Sequence, residues 1–512
     1  MVLPVPNPTK SYWIEAAESP LRHFRSTAEL PSEADVVIVG SGYSGASTAY
    51  WVHKSTEDAP NKPRMVMLEA RDICSCATGR NGGQLRPHAY SRYLAWKERF
   101  GAQGAMELIR HEMAHLPAFK ALADTEGFAE EVCLEFGETF DAAMTEEAWA
   151  RLKSNYEAMK ADHGEDNEVV KVCRLLEDAS DAEDFSQMKG ALSAIVHPAG
   201  HIWTYKFVHA LLRIVLAAGN FNLQANTPAQ SVSERDADGW ITVTTDRGSI
   251  RTRSVVHSTN RWASHLLPEF NKLVFGEKCA MGSIKAPQGF IQNTGAQHWD
   301  AAVNNYHLQL PPPYNTIVFG GGRQFLVHKP EECLLNDEED KQVPGFADFV
   351  KTWPASDVKD WPGPDPAELD RDADEGGVWT GVIAGSIDSF PFVGPVPGRE
   401  GQFMAAGFAG HGMPRILGAT AHITPLVLDY LKSDLKMPSM AKIFPPLPAP
   451  FHATPERVER LVQTADVEAK LKAYRENCKV SAVKPFCHIE RTKAATLSGD
   501  ALERQDSPVG SV

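Results

Sequence analysis

The sequence predicts a mixed α/β and α+β fold, in which a parallel sheet is completed by distant segments of the chain and helical and strand-rich stretches fill the intervals. Three observations carry this. A valine-rich run, ADVVIVG at 34–40, opens a glycine turn and a helical pattern. Strands of alternating character fill 221–259. A last apolar block at 379–432 reads as strand, turn, strand, glycine loop and long helix. Strands buried on both faces of a parallel sheet read as continuous apolar runs, whereas half-buried strands alternate.

The first 32 residues, rich in Pro, Ser and aromatic side chains, read as an irregular arm. ADVVIVG runs into GSGYSG and then ASTAYWVHK, whose small and apolar residues have helical spacing, and RMVMLEA (64–70) is a second buried run ending near an acidic residue. This is a βαβ unit. Between about 92 and 190, patterns such as WKERFGAQGAMELIRHEMAHLPAFKALA predict an inserted helical region with little strand signal. YKFVHALLRIVLAAGNF is a helix closed by Gly219, and a β-meander with Asp-Gly and Arg-Gly turns leads to SVVHST (254–259), another buried strand. Strand-like runs recur over 279–330, and a Pro, Trp and Asp-rich stretch (353–377) separates them from the last apolar block. Two charged helices are expected beyond 450, and the tail after 490, poor in large apolar residues, is read as disordered.

A chain of 512 residues exceeds one ordinary core and predicts roughly three domains, or two large lobes. The composition, 43% hydrophobic and 23% charged with a formal net charge of −15, is that of a globular protein and argues against nucleic acid or an anionic membrane as the main partner. No stretch approaches the roughly 18 apolar residues of a membrane span. The N-terminus lacks a secretory h-region, and the final GSV is no peroxisomal address. Eight cysteines without CxxC pairs or framework spacing point to a reducing, cytoplasmic setting. The acidic run EECLLNDEEDK (331–341) reads as a solvated loop.

The chemistry begins at the first turn. Gly40, Gly42 and Gly45 form G-x-G-x-x-G between strand and helix. The first glycine permits the tight turn, the second admits a pyrophosphate to the backbone amides, and the third lets helix and strand pack closely. Glu69, at the end of the second strand, suits a ribose hydroxyl and disfavours a 2′-phosphate. A dinucleotide site follows. A simple nicotinamide dehydrogenase would continue with further βαβ repeats; this chain instead continues with an Arg/Gly-rich loop and a helical insertion, which points to FAD. In GFAGHGMPRILGATA, Gly407, Gly410 and Gly412 free the backbone before a helix, so that amides and the helix dipole face the electron-rich edge of a flavin.

The stretch CSCATGRNGGQLRPHAY (74–90) invites three readings: metal knuckle, redox thiol pair, or cofactor loop. C-x-C has no partner pair or neighbouring His at ligand spacing, and a disulfide between such close cysteines is strained. The cofactor loop is favoured, with Arg80 or Asn81 addressing a phosphate or flavin edge.

These blocks resemble the D-amino-acid oxidase-like, or glycine/sarcosine oxidase-like, FAD-dependent oxidoreductases over roughly residues 33–435, nearest the branch containing gamma-glutamylputrescine oxidoreductase. The match lies in DVVIVGSGYSGASTAY with MVMLEA, in CATGRNGGQ, in HPAGHIWTYKFVHALL with NTPAQSV and SVVHSTN, and in WTGVIAGSIDSFPFVGPVPG with MAAGFAGHGM. The resemblance implies a Rossmann-like FAD-binding domain in three parts (33–91, 191–275 and 377–440). These would be interleaved with a helical/substrate region (92–190) and a substrate domain (276–376), between an N-terminal arm (1–32) and a C-terminal extension (441–512). It implies oxidation of a C–N bond of an amine or amino acid by hydride transfer to FAD, with dioxygen or another electron acceptor. Alternatives are a tailoring enzyme acting on a pathway intermediate, or a non-catalytic flavoprotein-like binding subunit.

The residues implied at the cofactor are Gly40, Gly42, Tyr43, Ser44, Gly45, Glu69, Ala70, Thr78, Arg80, Asn81, Gly82, Gly83, Gln84, Val232, Gly407, Gly410, His411, Gly412 and Met413. Arg86, His411 and Arg323 are the catalytic candidates, and no metal is expected. Arg86 has two readings, a bidentate clamp for a substrate carboxylate or a ligand of loop carbonyls. His88 is read as a base or as a hydrogen-bonded structural residue, and Asp388 as a brace or an ordinary turn residue. Where relatives carry an Arg-Gly-Gln run, this chain has KCAMGSIKAP (278–287), with Lys278 in the arginine's place. Lys285 is a candidate cation near the flavin, and Cys76 and Cys333 are the candidates for covalent attachment.

Overall fold

The computed structural model describes residues 3–301, 303–322 and 330–480. Arg323 and the tail read as disordered lie outside the described residues. Two sheets organise the chain. The first has the spatial order Phe392–Pro395, Gln402–Ala406, Gly248–His257, Glu33–Val39, Met65–Leu68 and Phe221–Gln224. Its four central pairings are parallel, and Ile241–Thr245 and Ala229–Val232 add an antiparallel flank. Val36, Val37 and Ile38 are fully buried, as a strand covered on both faces requires. Helix Tyr43–Ser55 packs against helices Thr204–Ala217 and Ile416–Tyr430. The contacts include an edge-on Tyr43–Phe207 ring pair and a hydrogen bond from Trp51 Nε1 to the Leu417 carbonyl.

The second sheet has the order Val378–Ser386, Val274–Ile284, Ile317–Gly321, Asn304–Gln309, Thr294–His298, Glu135–Ala143, Ser193–His201 and Gln84–Leu85, with Arg174–Leu176 paired to Ser193–His201. It is antiparallel except between Thr294–His298 and Glu135–Ala143. Helix Phe346–Asp357 covers one face, with Trp353 and Phe349 against Phe319. Strands Ser193–His201 and Val378–Ser386, inside segments assigned to the FAD-binding domain, both pair in this second sheet.

Two expectations change. The inserted region has its helices, Tyr93–Met113, His115–Glu126 and Glu146–His163, but also supplies the sheet with Glu135–Ala143. That strand was hidden because its first four residues are exposed and it lacks the apolar alternation that marks a strand. The N-terminal arm is irregular as expected apart from the short helix Tyr12–Glu15, and it is anchored: Tyr12 and Trp13 are buried and pack against Trp203. The acidic run is not simply a solvated loop, because Cys333, Leu334 and Glu339 are buried. Glu339 turns inward to Arg71, at 2.9 Å, and to Arg80, since buried guanidinium groups require a counter-ion. The C-terminal extension forms helices Pro455–Thr464 and Val467–Val480.

Candidate active site

The glycine turn shows why each glycine is required. Gly40 has φ +104°, and a Cβ there would meet the Ser258 carbonyl oxygen at 2.6 Å; a Cβ on Gly45 would lie 1.9 Å from the Gly40 oxygen. No side chain caps the helix that follows, although Tyr43 N donates to Thr78 Oγ1 at 3.0 Å. Uncapped amides at a helix N-terminus favour an anion. A cavity opens there, lined by Gly40, Gly42, Tyr43, Ser44, Glu69, Ala70 and Thr78 on one side and reaching Val382, Phe408 and Ile416. Glu69 Oε2 accepts from Ser41 N and Oγ at 2.9 and 2.6 Å, and Oε1 accepts from Arg71 N at 3.1 Å. A carboxylate offers about four acceptor sites, so one remains for a ligand hydroxyl.

In the loop that follows, Cys74 and Cys76 are free thiols, and among the described residues no cluster of His, Cys, Asp and Glu can hold a metal. Cys76 lines the cavity, accepts from Arg71 Nη2 at 2.8 Å and is pushed up to about 12 by burial. Cys333 is buried and donates to the Lys278 carbonyl. Arg80, read as addressing a phosphate or flavin edge, is engaged elsewhere. It is nearly fully buried, donates to the Thr380 carbonyl and to Thr9, and does not line the cavity. Asn81 Oδ1 instead accepts from Gly83 N and Thr204 Oγ1. The arm clamps this loop, with Ser11 Oγ donating to the Gly79 carbonyl at 2.7 Å and Trp13 Nε1 to that of Asn81 at 2.6 Å. Gln84 Nε2 donates to Thr294 Oγ1 and the His307 carbonyl of the second sheet.

That sheet presents a row of paired residues, Met281, Gly320, Tyr306, Ala296, Asp141 and Ile195, on one face. Tyr306 lies so close to Gly82 that a Cβ there would meet its ring at 2.5 Å. Asp141 is the hub of this face, receiving Arg86 Nη2 at 2.6 Å, Tyr90 Oη at 2.7 Å and His298 Nε2 at 2.5 Å. Burial alone would raise its pKa, but the Arg86 and His298 charges outweigh burial and hold it well below the usual range.

The C-terminal glycine loop is held from behind by Asn260, whose Oδ1 accepts from Gly407 N and Phe408 N. His411 Nε2 donates to Glu112 Oε2 at 2.9 Å, and Arg415 holds Oε1 of the same carboxylate at 2.8 Å. His88 stacks on His411 with ring centroids 3.8 Å apart. Gly410 and Gly412 flank His411, and Met413 Sδ lies 3.9 Å from Thr204 Oγ1.

The sequence profile of the family described as FAD dependent oxidoreductase matches residues 35–424. The chain belongs to this FAD-dependent oxidoreductase family. Among solved structures, L-proline dehydrogenase from P. horikoshii is 18% identical with a TM-score of 0.60, covering 78% of this chain and 94% of its own. L-amino acid deaminase from Proteus vulgaris is 15% identical with a TM-score of 0.59, covering 85% and 98%. Glycine oxidase from Geobacillus kaustophilus is 18% identical with a TM-score of 0.55, covering 78% and 95%. At these identities the likeness is one of fold. No curated protein sequence matches the chain.

The residues of this FAD-dependent oxidoreductase fit its cofactor. The uncapped helix suits a pyrophosphate and Glu69 a ribose. Thr259 Oγ1, at the cavity wall, is buried without a partner among the described residues. Several expectations move. Val232 lies off the cavity, packed beside the flank strands, while Ala229 at the start of the same strand lines it. Lys285 is paired with Glu368 on the exposed surface, because its strand ends there. Asp388 is a brace, bound by Arg457 of the C-terminal extension at 2.9 and 3.0 Å.

Glu112, Asp141, Arg415 and Tyr306 escaped the sequence reading, since single polar residues within helical or strand patterns give no signal. Asn260 was within reach, as the residue closing SVVHSTN.

Proposed function

We propose that this FAD-dependent oxidoreductase oxidises a C–N bond of an amine or amino acid by hydride transfer to flavin. The observation that carries the reading is the cavity. It runs from the glycine turn to Phe408 and Ile416, where the C-terminal glycine loop and the Asp141 face of the second sheet flank the loop 77–84. FAD, when bound, supplies the hydride acceptor. Backbone amides at Gly42 and Ser44 would hold its pyrophosphate, and Glu69 its ribose. Asn81, Gly82, Gly83 and Gln84 would hold its ring system, and Tyr306 packs on Gly82. The loop Gly407–Met413 would supply backbone donors to the negative charge that a flavin gains on reduction.

In this reading His411 is the proton-handling group. Arg86 acts through Asp141 rather than as a free carboxylate clamp, because its guanidinium already holds that carboxylate. Arg323 remains a proposed catalytic candidate. The loop CATGRNGGQ supports a place near the gamma-glutamylputrescine oxidoreductase branch. By the same resemblance dioxygen is the proposed acceptor, and the cysteine usage supports the cytoplasm as the proposed location.

Anaerobic mixing of the holoenzyme with a library of amines and amino acids tests the reading. Bleaching of the flavin by at least one, and its recovery on readmitting air, is the expected result. Flavin that no amine or amino acid reduces would overturn it, and bleaching without recovery would exclude oxygen.

A further inference from the structure

Glu112 sits in the helix Tyr93–Met113, and its fully buried carboxylate joins His88, just after the cofactor loop, to His411 and Arg415 of the C-terminal glycine loop. Oε2 accepts from His411 Nε2 at 2.9 Å and from the His88 backbone amide at 2.7 Å, and Oε1 accepts from Arg415 at 2.8 Å. Every group directed at this carboxyl is a donor, and the guanidinium of Arg415 is permanently charged. Glu112 is therefore an ionised, acceptor-only group, and the proton of His411 must lie on Nε2. That leaves Nδ1 with the lone pair, and it makes no hydrogen bond within the described residues. Phe408 and Ile416, on either side of His411 in the chain, line the cofactor cavity.

We propose that Glu112 is a positioning residue that holds His411 as a neutral, Nε2-protonated imidazole, so that Nδ1 receives the proton leaving the substrate's ammonium nitrogen. This rests on the amine-oxidation reading above. In the step, an N–H bond of the ammonium breaks, its electron pair stays on nitrogen and an Nδ1–H bond forms; nothing is oxidised or reduced. The resulting imidazolium faces the Glu112 carboxylate. His88, stacked 3.8 Å away with Nδ1 hydrogen-bonded to Ser91 Oγ, stays neutral, because two cationic rings at that distance repel. The charged groups acting on His411 are Glu112 from the helix, Arg415 from the start of the following helix, and Arg92 from the end of the His88 loop. Burial lowers the pKa of both imidazoles, in keeping with a resting pair that carries no charge.

The test is the midpoint potential of bound FAD against pH, which needs no substrate. Negative charge on the reduced cofactor favours a proton on His411, so the curve breaks at the His411 pKa. Glu112→Gln removes the carboxylate and is expected to move the break down by about one pH unit. Arg415→Met removes the opposing cation and is expected to move it up by a similar amount. Opposite shifts from two neighbouring buried positions cannot come from loosened packing. Curves that superimpose on wild type, or that move the same way, overturn the proposal. If either variant fails to hold FAD, His411→Asn decides: loss of the break supports the assignment and its persistence overturns it. Shifted curves in a flavin that no amine bleaches would sink the substrate reading while leaving the Glu112–His411 coupling standing.

Discussion

Arg86 Nη2 and Asp141 Oδ1 lie 2.6 Å apart, joining the strand that leaves the cofactor loop to the middle of the second sheet. Arg86 Nε also donates to Thr139 Oγ1 at 3.0 Å. Removing either member of a buried pair leaves the other uncompensated. Arg86→Met is therefore expected to lower stability by about 3–5 kcal/mol in urea denaturation. A free carboxylate clamp would instead lose substrate affinity at unchanged stability.

At the glycine turn, Gly45→Ala places a methyl 1.9 Å from the Gly40 oxygen. Helix and strand must separate, and the amides that bind pyrophosphate separate with them. Purified variant protein is expected to be colourless, by its flavin-to-protein absorbance ratio, while Gly219→Ala, with nothing near its Cβ, keeps its flavin.

Glu69→Gln retains an oxygen acceptor but loses the charge and presents an amide donor to Ser41. Hydrogen bonds to charged groups are worth about 1.5–3 kcal/mol, so FAD affinity is expected to fall roughly 10- to 100-fold in titrations of apoprotein followed by flavin fluorescence.

The aromatic arm is a structural member. Trp13→Ala removes a buried ring and the hydrogen bond to Asn81, and is expected to cost about 3–5 kcal/mol. Protease susceptibility should rise within the loop 77–84, which the arm clamps, before it rises elsewhere.

Acid should destabilise the fold well above the carboxylate range. Burial lowers His111, His197, His209 and His257 to about 4 from 6.5, and His307 to about 3. Below pH 6.5 the unfolded chain binds protons that the folded chain refuses, so stability is complete above that value and falls as pH drops towards 4. Each histidine contributes a slope of at most about 1.4 kcal/mol per pH unit. Asp141 and Glu112, depressed in the fold, add their loss only below the ordinary carboxylate range. Urea midpoints that stay flat from pH 7 to about pH 4.5 would contradict this assignment.

The legible parts were those governed by local rules. ADVVIVG, the glycine turn, RMVMLEA and the last glycine loop each announce themselves, because burial on both faces and backbone–phosphate contact demand particular residue types at fixed spacing. Glu135–Ala143 did not, since its first half is exposed and its buried half, carrying Asp141, follows no alternation. The acidic run misled because charge usually means solvent, and nothing local says that Glu339 faces two arginines from 259 and 268 residues earlier in the chain.

By itself, then, the sequence determined the cofactor class and the βαβ start, both consequences of apolar periodicity and glycine geometry within short windows. Only the tertiary structure decided which charges meet. It turned Arg80 to Thr380 and Thr9 rather than to the cavity, satisfied Arg86 with Asp141, and set Glu112 behind His411. A buried charge must find its counter-charge wherever the fold brings one, and no local pattern encodes a partner some 300 residues away.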